Sequence, residues 1–213
     1  MLASPRISTL EATVYALVAA KGVQMGKIFE NLYLVLGIGL VLAVVVMLLP
    51  DTGYAPPYGT ANGILQWTHV FFGVTWIGLL YYFNFVQVPT MPHVPAELKP
   101  GVTKYIAPSA LFYFRWGAAF TVLTGLLLAW SYDELVEALT LQPSQRLIGI
   151  GMWLALIMAF NVWVIIWPAQ QKVLGLKPAD DVAKASAAKR GLIASRTNVL
   201  LSIPMLLCMT NFH

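Results

Sequence analysis

The chain has 213 residues, of which 59% are hydrophobic and only 10% are charged, and its mean hydropathy is +0.73. One soluble core of this size cannot bury so much apolar surface, so the composition indicates an integral membrane protein. The net charge of +4 then reports membrane topology rather than nucleic-acid binding. The single cysteine, Cys208, excludes an intrachain disulfide framework, a redox dithiol and covalent haem attachment through CxxCH.

Residues 1–27 are less apolar than the rest and are predicted to form an amphipathic interfacial segment. Their apolar positions recur at helical spacing, with charges between them: Ile7, Leu10, Val14 and Leu17 alternate with Glu11 and Lys21. A cleaved signal peptide is the alternative, because VAAK (18–21) resembles a processing site.

Residues 28–213 contain five stretches of about the length, roughly 20 apolar residues, that a helix needs to cross a bilayer. They cover 28–49, 66–88, 109–131, 146–168 and 197–213, and we call them spans one to five. The sequence therefore predicts an all-α integral membrane protein with a five-helix transmembrane domain. Spans two to five carry polar residues and are predicted to form a four-helix bundle. The connectors, including 169–191, are predicted to be loops or short interfacial helices.

The basic residues fall on one side of the membrane when successive connectors are assigned to alternate sides. Of the thirteen Lys and Arg residues, only Arg146 lies on the opposite side, and the connectors on its side are net acidic. The positive-inside rule then places the N-terminus in the cytoplasm and the C-terminus outside.

Span two carries a stripe of residues that recur every three or four positions and so share one helix face. The stripe comprises His69, Gly73, Trp76, Leu80, Asn84 and Gln87. Polar groups are costly against lipid, so this face is predicted to contact protein and to border a ligand. Two interpretations of His69 stay open: a hydrogen bond between helices, worth about 0.6 kcal/mol, or a metal ligand.

Span five ends with Met209 and His213 at spacing four, on one face. Because spans two and five run in opposite directions, His69 and His213 are predicted at the same depth. Two facing imidazoles favour axial ligation of haem b, with Gly73 and Trp76 as further cofactor contacts. A copper ion held by His69, His213 and Met209 is the alternative, since imidazole and thioether ligands suit Cu(I). A frayed chain end without a ligand is a further interpretation of His213.

A second polar group is predicted at the other end of the same spans. Its members are Asn84, Gln87, Arg115, Asn161, Gln170, Arg196 and Asn198. No carboxylate lies at this level in any span, so Arg115 is a candidate partner for an anion such as a haem propionate. Alternatively, Arg115 extends to lipid headgroups while the amides cap neighbouring helices.

Four segments carry a family resemblance. They are QWTHVFFGVTWIGLLYYF (66–83), FRWGAAFTVLTGLLL (114–128), AFNVWVIIWPAQQKV (159–173) and SRTNVLLSIPMLLCMTNFH (195–213). In this order they resemble the membrane domain of the PuuD-type urate hydroxylases, also called the urate oxidase N-terminal family. The resemblance implies a bacterial inner-membrane protein. Full-length members of that family oxidise urate and pass electrons to a fused cytochrome c domain.

The chain also departs from that family. It has no cytochrome c motif, has an added N-terminal helix and has a shorter path between spans three and four. Where the family opens its last matched helix with His and Asn, this chain has Arg196, Thr197 and Asn198. The family's later Asn-His becomes Asn211, Phe212, His213. The fold and a histidine in span two therefore carry over better than urate oxidation does.

A further resemblance links span two to the HemJ-type protoporphyrinogen oxidases, in which a histidine is followed seven residues later by tryptophan. His69 and Trp76 have this spacing, and the likeness implies haem at His69.

Three functions fit these features. The first is a redox protein that binds haem b and relays electrons from a membrane reductant to an external cytochrome c-type acceptor. The second is a non-catalytic accessory subunit of a larger respiratory or oxidase complex. The third is membrane-bound urate oxidation. The expected partners are the lipid bilayer and either a cytochrome c or other subunits of a complex, without nucleic acid. No catalytic residue is identified from the sequence.

Overall fold

The computed structural model describes residues 29–48 and 60–211, which are helical apart from turns and contain no strand. The chain divides into two compact units, residues 1–55 and residues 56–213. The predicted interfacial segment, 1–27, lies outside the described residues and stays a prediction.

The first unit contains helix α1 (Leu32–Leu48), which has no charged residue. Asn31 precedes it, and the Asn31 carboxamide oxygen accepts hydrogen bonds from the backbone N–H groups of Tyr33 and Leu34. This cap satisfies amides that have no partner within the helix. The 17 residues of α1 extend about 26 Å at 1.5 Å per residue, less than the roughly 30 Å of a bilayer core. Span one therefore stays a prediction.

The second unit contains four helices that are long and apolar enough to cross a membrane. They are α2 (Ala61–His93), α3 (Lys99–Ser131), α4 (Pro143–Val173) and α5 (Asp181–Thr210). These helices include predicted spans two to four and nearly all of span five. The protein is thus an all-helical, multi-pass membrane protein by the length and composition of its helices.

The helix that contains predicted span five begins 16 residues before residue 197, the predicted start of the span. Helix α5 begins at Asp181, and Asp180 caps it by accepting a hydrogen bond from the backbone N–H of Ala183 at 2.7 Å. Hydropathy marks only the part of a helix that suits lipid, whereas helix formation depends on caps and on helix-forming residues. Residues 181–196, which are rich in alanine and basic residues, are therefore helical, although the sequence predicts a connector for 169–191.

Helix α2 packs mainly against α3, and α4 packs mainly against α5. Gly117 lets the backbones of α2 and α3 approach each other closely, because a Cβ atom added at this position would lie 3.3 Å from the Trp76 backbone nitrogen. The interior between the two pairs is filled by large side chains with almost no exposed surface: Trp76, Leu80, Phe114, Met158 and Val162.

Hydrogen bonds between polar side chains join the helices at the end of the bundle opposite the start of α2. Asn161 of α4 donates to the side-chain oxygen of Asn198 of α5 at 2.9 Å, and Asn198 donates to the Met158 carbonyl at 3.0 Å. Asn84 of α2 donates to the Ser195 hydroxyl of α5 at 2.8 Å. Both Asn84 and Asn161 lie in π-helical turns, which are rare and often carry functional residues.

The buried Asn161–Asn198 pair generates a stability prediction. Replacing Asn198 with leucine removes two hydrogen bonds and leaves the Asn161 amide without its acceptor. We expect a loss of about 1 kcal/mol in the free energy of unfolding, in the range of hydrogen bonds between membrane helices. Denaturant titration in detergent micelles measures this loss, with the exposed Asn211→Leu as the control. Equal stability of the two variants would contradict the structural role of this pair.

Candidate ligand-binding cavity

A cavity of about 550 Å³ lies between α2, α3, α4 and α5, near the start of α2 and the end of α5. Small-molecule sites in proteins usually enclose about 300 to 1,000 Å³. Its walls are almost entirely apolar, and the few polar side chains on them include His69, Thr121 and Glu134. The end of the bundle that holds this cavity is called the His69 end below.

His69 of α2 is held in one orientation by α3. Its Nδ1 lies 2.9 Å from the backbone carbonyl oxygen of Thr121. A carbonyl only accepts hydrogen bonds, so Nδ1 carries the proton, and the neutral ring has a free lone pair on Nε2. Nε2 makes no hydrogen bond to any residue that the structure describes. The cavity is therefore lined by an imidazole whose second nitrogen is available to a ligand.

Gly125 of α3 makes room for this imidazole. A Cβ atom at position 125 would lie 2.8 Å from Cε1 of His69 and 3.0 Å from Nδ1, closer than real Cβ contacts. Any larger residue would have to displace the ring. Sequence reasoning missed Gly125 and Thr121, although Gly117, Thr121 and Gly125 recur at spacing four. Such a stripe of small residues is typical of a face where two membrane helices meet.

A short helix, Leu135–Leu139, borders the cavity at the His69 end and joins α3 to α4. Asp133 and Leu141, on either side of it, have positive φ angles of 58° and 57°. The Trp153 indole of α4 donates to the Leu139 carbonyl at 3.0 Å. An added Cβ on Gly149 would collide with the Ala138 carbonyl. The short helix is thus packed tightly onto α4.

The cavity brings together most of the predicted site residues. His69, Gly73 and Trp76 line it from α2, and Met209 lines it from α5. His213, the predicted second axial ligand, lies outside the described residues, so its role stays a prediction. Met205 also lines the cavity from the α5 face that carries Met209.

Arg115 is not among the residues that line the cavity. Its guanidinium carbon lies 3.2 Å from the centroid of the Trp167 ring and 5.8 Å from that of Trp163. Its Nε donates to the Leu111 carbonyl one turn earlier. Stacking on an indole stabilises the cation without a carboxylate. The propionate contact predicted for Arg115 stays a prediction, and its observed partner is an aromatic ring.

The other members of the predicted second polar group do not form one site. Asn84 and Asn198 pair with different partners, Ser195 and Asn161, as described above. The side-chain oxygens of Asn84 and Gln87 are buried without a hydrogen-bond partner within the described part of the chain. Arg196 is exposed. Three of its members, Asn84, Asn161 and Asn198, therefore link helices through hydrogen bonds.

Within residues 29–48 and 60–211, no group of three or more His, Cys, Asp or Glu side chains comes together as a metal site. The cavity instead offers one imidazole together with the thioethers on α5 and on Met152 of α4. This set resembles the axial ligands of a haem more than the closed ligand shell of a structural zinc ion.

The fold and the cavity define a class: a multi-pass helical membrane protein with a histidine-bearing cavity between its spans. The family model described as urate oxidase N-terminal matches residues 138–213, in agreement with the resemblance seen in the sequence. The match covers just over a third of the chain. It includes α4 and α5 but not His69, so the role of His69 depends on the geometry alone. No curated protein and no solved structure matches the chain.

The contact between Gly125 and His69 generates a second prediction. Gly125→Ala should displace the imidazole and break its hydrogen bond to the Thr121 carbonyl. Nitrogen-15 NMR of histidine-labelled protein detects the change in the His69 ring, because the chemical shifts of the two ring nitrogens depend on the tautomer. The chain has three histidines, so the spectrum contains few signals. We expect the His69 signals to lose the pattern of a ring protonated at Nδ1. Gly101→Ala, where an added Cβ meets nothing, is the control. An unchanged His69 spectrum in Gly125→Ala would contradict the described packing.

Proposed function

We propose that the protein is a membrane redox protein that holds haem b in the cavity, with Nε2 of His69 as an axial ligand to the iron. The observation that carries this proposal is the His69 imidazole, which donates from Nδ1 to a backbone carbonyl and leaves Nε2 unpartnered within the described chain. Histidines that bind metals almost always donate their other N–H to a carbonyl, carboxylate or water. That hydrogen bond fixes the tautomer and raises the basicity of the ligating nitrogen.

The residues that line the cavity are suited to binding haem b. The walls are apolar, as suits a porphyrin ring, and Met209 lines the same cavity as His69. His213, four residues after Met209 in the sequence, is the second axial ligand that we propose. Met209 is the substitute if the chain end does not reach the iron. Bound haem would supply one-electron transfer. The protein's own part is to hold His69, exclude water and set the polarity of the surroundings.

The proposed acceptor is an external cytochrome c-type protein. The connector at the His69 end carries Asp133, Glu134 and Glu137, and Arg146 is the only basic residue that the sequence places on that side. Acidic surfaces guide basic partners to productive encounters. With the positive-inside rule, this places the His69 end outside the cytoplasm in a bacterial inner membrane, with the N-terminus in the cytoplasm.

Urate oxidation is less well supported by the cavity. Urate is a polar purine that needs several hydrogen-bonding partners, and the walls offer few. An accessory subunit remains the alternative to haem binding. In that case His69 would serve only to join α2 to α3 through the Thr121 carbonyl.

Absorption spectroscopy tests the haem proposal. Purified protein should show the sharp reduced bands of low-spin haem b, and His69→Ala should lose them because an axial ligand is removed. His213→Ala should be less damaging, since Met209 lies one turn back. His93→Ala is the matched control, because His93 is exposed and does not line the cavity. Protein without haem, or His69→Ala with the wild-type spectrum, would favour the accessory subunit.

Topology provides an independent test. A reporter that is active only in the cytoplasm should be inactive when fused after His213 and active when fused into the connector between α2 and α3. Lys99 and Lys104 lie in the first two turns of α3, next to that connector. The reverse pattern of activities would overturn the proposed orientation.

A further inference from the structure

Among the described residues of the second unit, the exposure of those that line the cavity indicates one open side. The exposed residues among those that line it all belong to α2 or α5: Gln66, Val70, Val74, Gly78, Leu206 and Thr210. Val74 is 68% exposed and Val70 is 55% exposed. On the opposite wall, Thr121 of α3 and Met152 of α4 are each only 7% exposed. We call the opening between the outer halves of α2 and α5 the lateral cleft.

The cleft closes towards the other end of the bundle. There Tyr81 of α2 lies 3.0 Å from Ser202 of α5, oxygen to oxygen, and Asn84 donates to Ser195. These two contacts join the same pair of helices that separate at the cavity. The opening is therefore confined to the half of the bundle that contains His69.

The short helix Leu135–Leu139 borders the cavity at the His69 end. It is fixed to α4 by the Trp153 hydrogen bond and by contact with Gly149. Access along the bundle axis from water would have to pass this segment. Access through the lateral cleft passes mainly valine, leucine and glycine at membrane depth.

We propose that the occupant of the cavity enters sideways from the lipid, through the lateral cleft between α2 and α5. This inference rests on the proposed function for the identity of that occupant, haem b, which is apolar over most of its surface and partitions into bilayers. Four of the six exposed rim residues are apolar: Val70, Val74, Gly78 and Leu206. The group that recognises the occupant, Nε2 of His69, belongs to the helix that forms one edge of the cleft.

A tryptophan on the rim should slow loading without removing the ligand. Apoprotein in phosphatidylcholine vesicles is mixed with haem, and the Soret band is followed over time. Val74→Trp and Leu206→Trp should each slow haem uptake at least about tenfold, with the final haem content unchanged. Val86→Trp is the control on α2, because Val86 is 52% exposed but lies beyond the cleft. Leu207→Trp is the control on α5, because Leu207 is 61% exposed and does not line the cavity.

A photo-crosslinking amino acid at position 74 tests the cleft without haem. In native membranes it should form adducts with phospholipid, as the same amino acid should at position 86. A crosslink to a polypeptide, either another subunit or residues 1–59 of this chain, would show that protein covers the cleft and would overturn the proposal. Uptake at the control rate in both rim variants would overturn it as well.

The experiments distinguish a failure of the haem proposal from a failure of the lateral-access proposal. If wild-type protein takes up no haem, the proposed function fails, and lipid adducts at position 74 still establish an open cleft. If haem binds but rim substitutions leave its uptake unchanged, the haem site stands and lateral access fails.

Discussion

Lipid offers no hydrogen bonds, and the arrangement of α2 to α5 follows from this constraint. Each polar side chain within a span must find its partner inside the bundle or pay the full cost of an unsatisfied group. Asn161 and Asn198 pair with each other, Asn84 pairs with Ser195, and the His69 imidazole uses the backbone of α3. These contacts fix which helices are neighbours and at what depth they meet.

The same constraint separates the two ends of the bundle. Near Asn84 and Asn198 most polar side chains have protein partners, and the helices are drawn together. At His69, Nδ1 is hydrogen-bonded, Nε2 has no partner among the described residues, and the helices enclose an apolar space beside Nε2. Burying a nitrogen lone pair in an apolar space without a partner costs free energy. The proposed haem would remove this cost, and it is therefore placed at His69 and not in the polar half of the bundle.

Much of the fold could be predicted from the sequence, because apolar length and polar stripes are both local patterns. The stripe on span two led to His69, Gly73 and Trp76, and all three line the cavity. The start of α5 could not be found by hydropathy, since its first turns are polar and depend on the Asp180 cap. Gly125 was missed because its importance comes from a close approach between two helices, which no single segment reveals. The aromatic partner of Arg115 was missed for a similar reason, since Trp167 lies on another helix.

The stacking of Arg115 on Trp167 also provides a reference point for the depth of the cavity in the bundle. Arginine and tryptophan side chains anchor helices at the boundary between hydrocarbon and headgroups. Along α3, Arg115 and Gly125 are about 15 Å apart at 1.5 Å per residue, which is half the thickness of a typical bilayer core. If Arg115 lies at one membrane surface, the cavity beside Gly125 lies about 15 Å deeper, near the midplane. With the Arg115–Trp167 stack at one membrane surface, lipids of the opposite leaflet would border the proposed lateral cleft, and the lipid asymmetry of the membrane would decide which lipids those are.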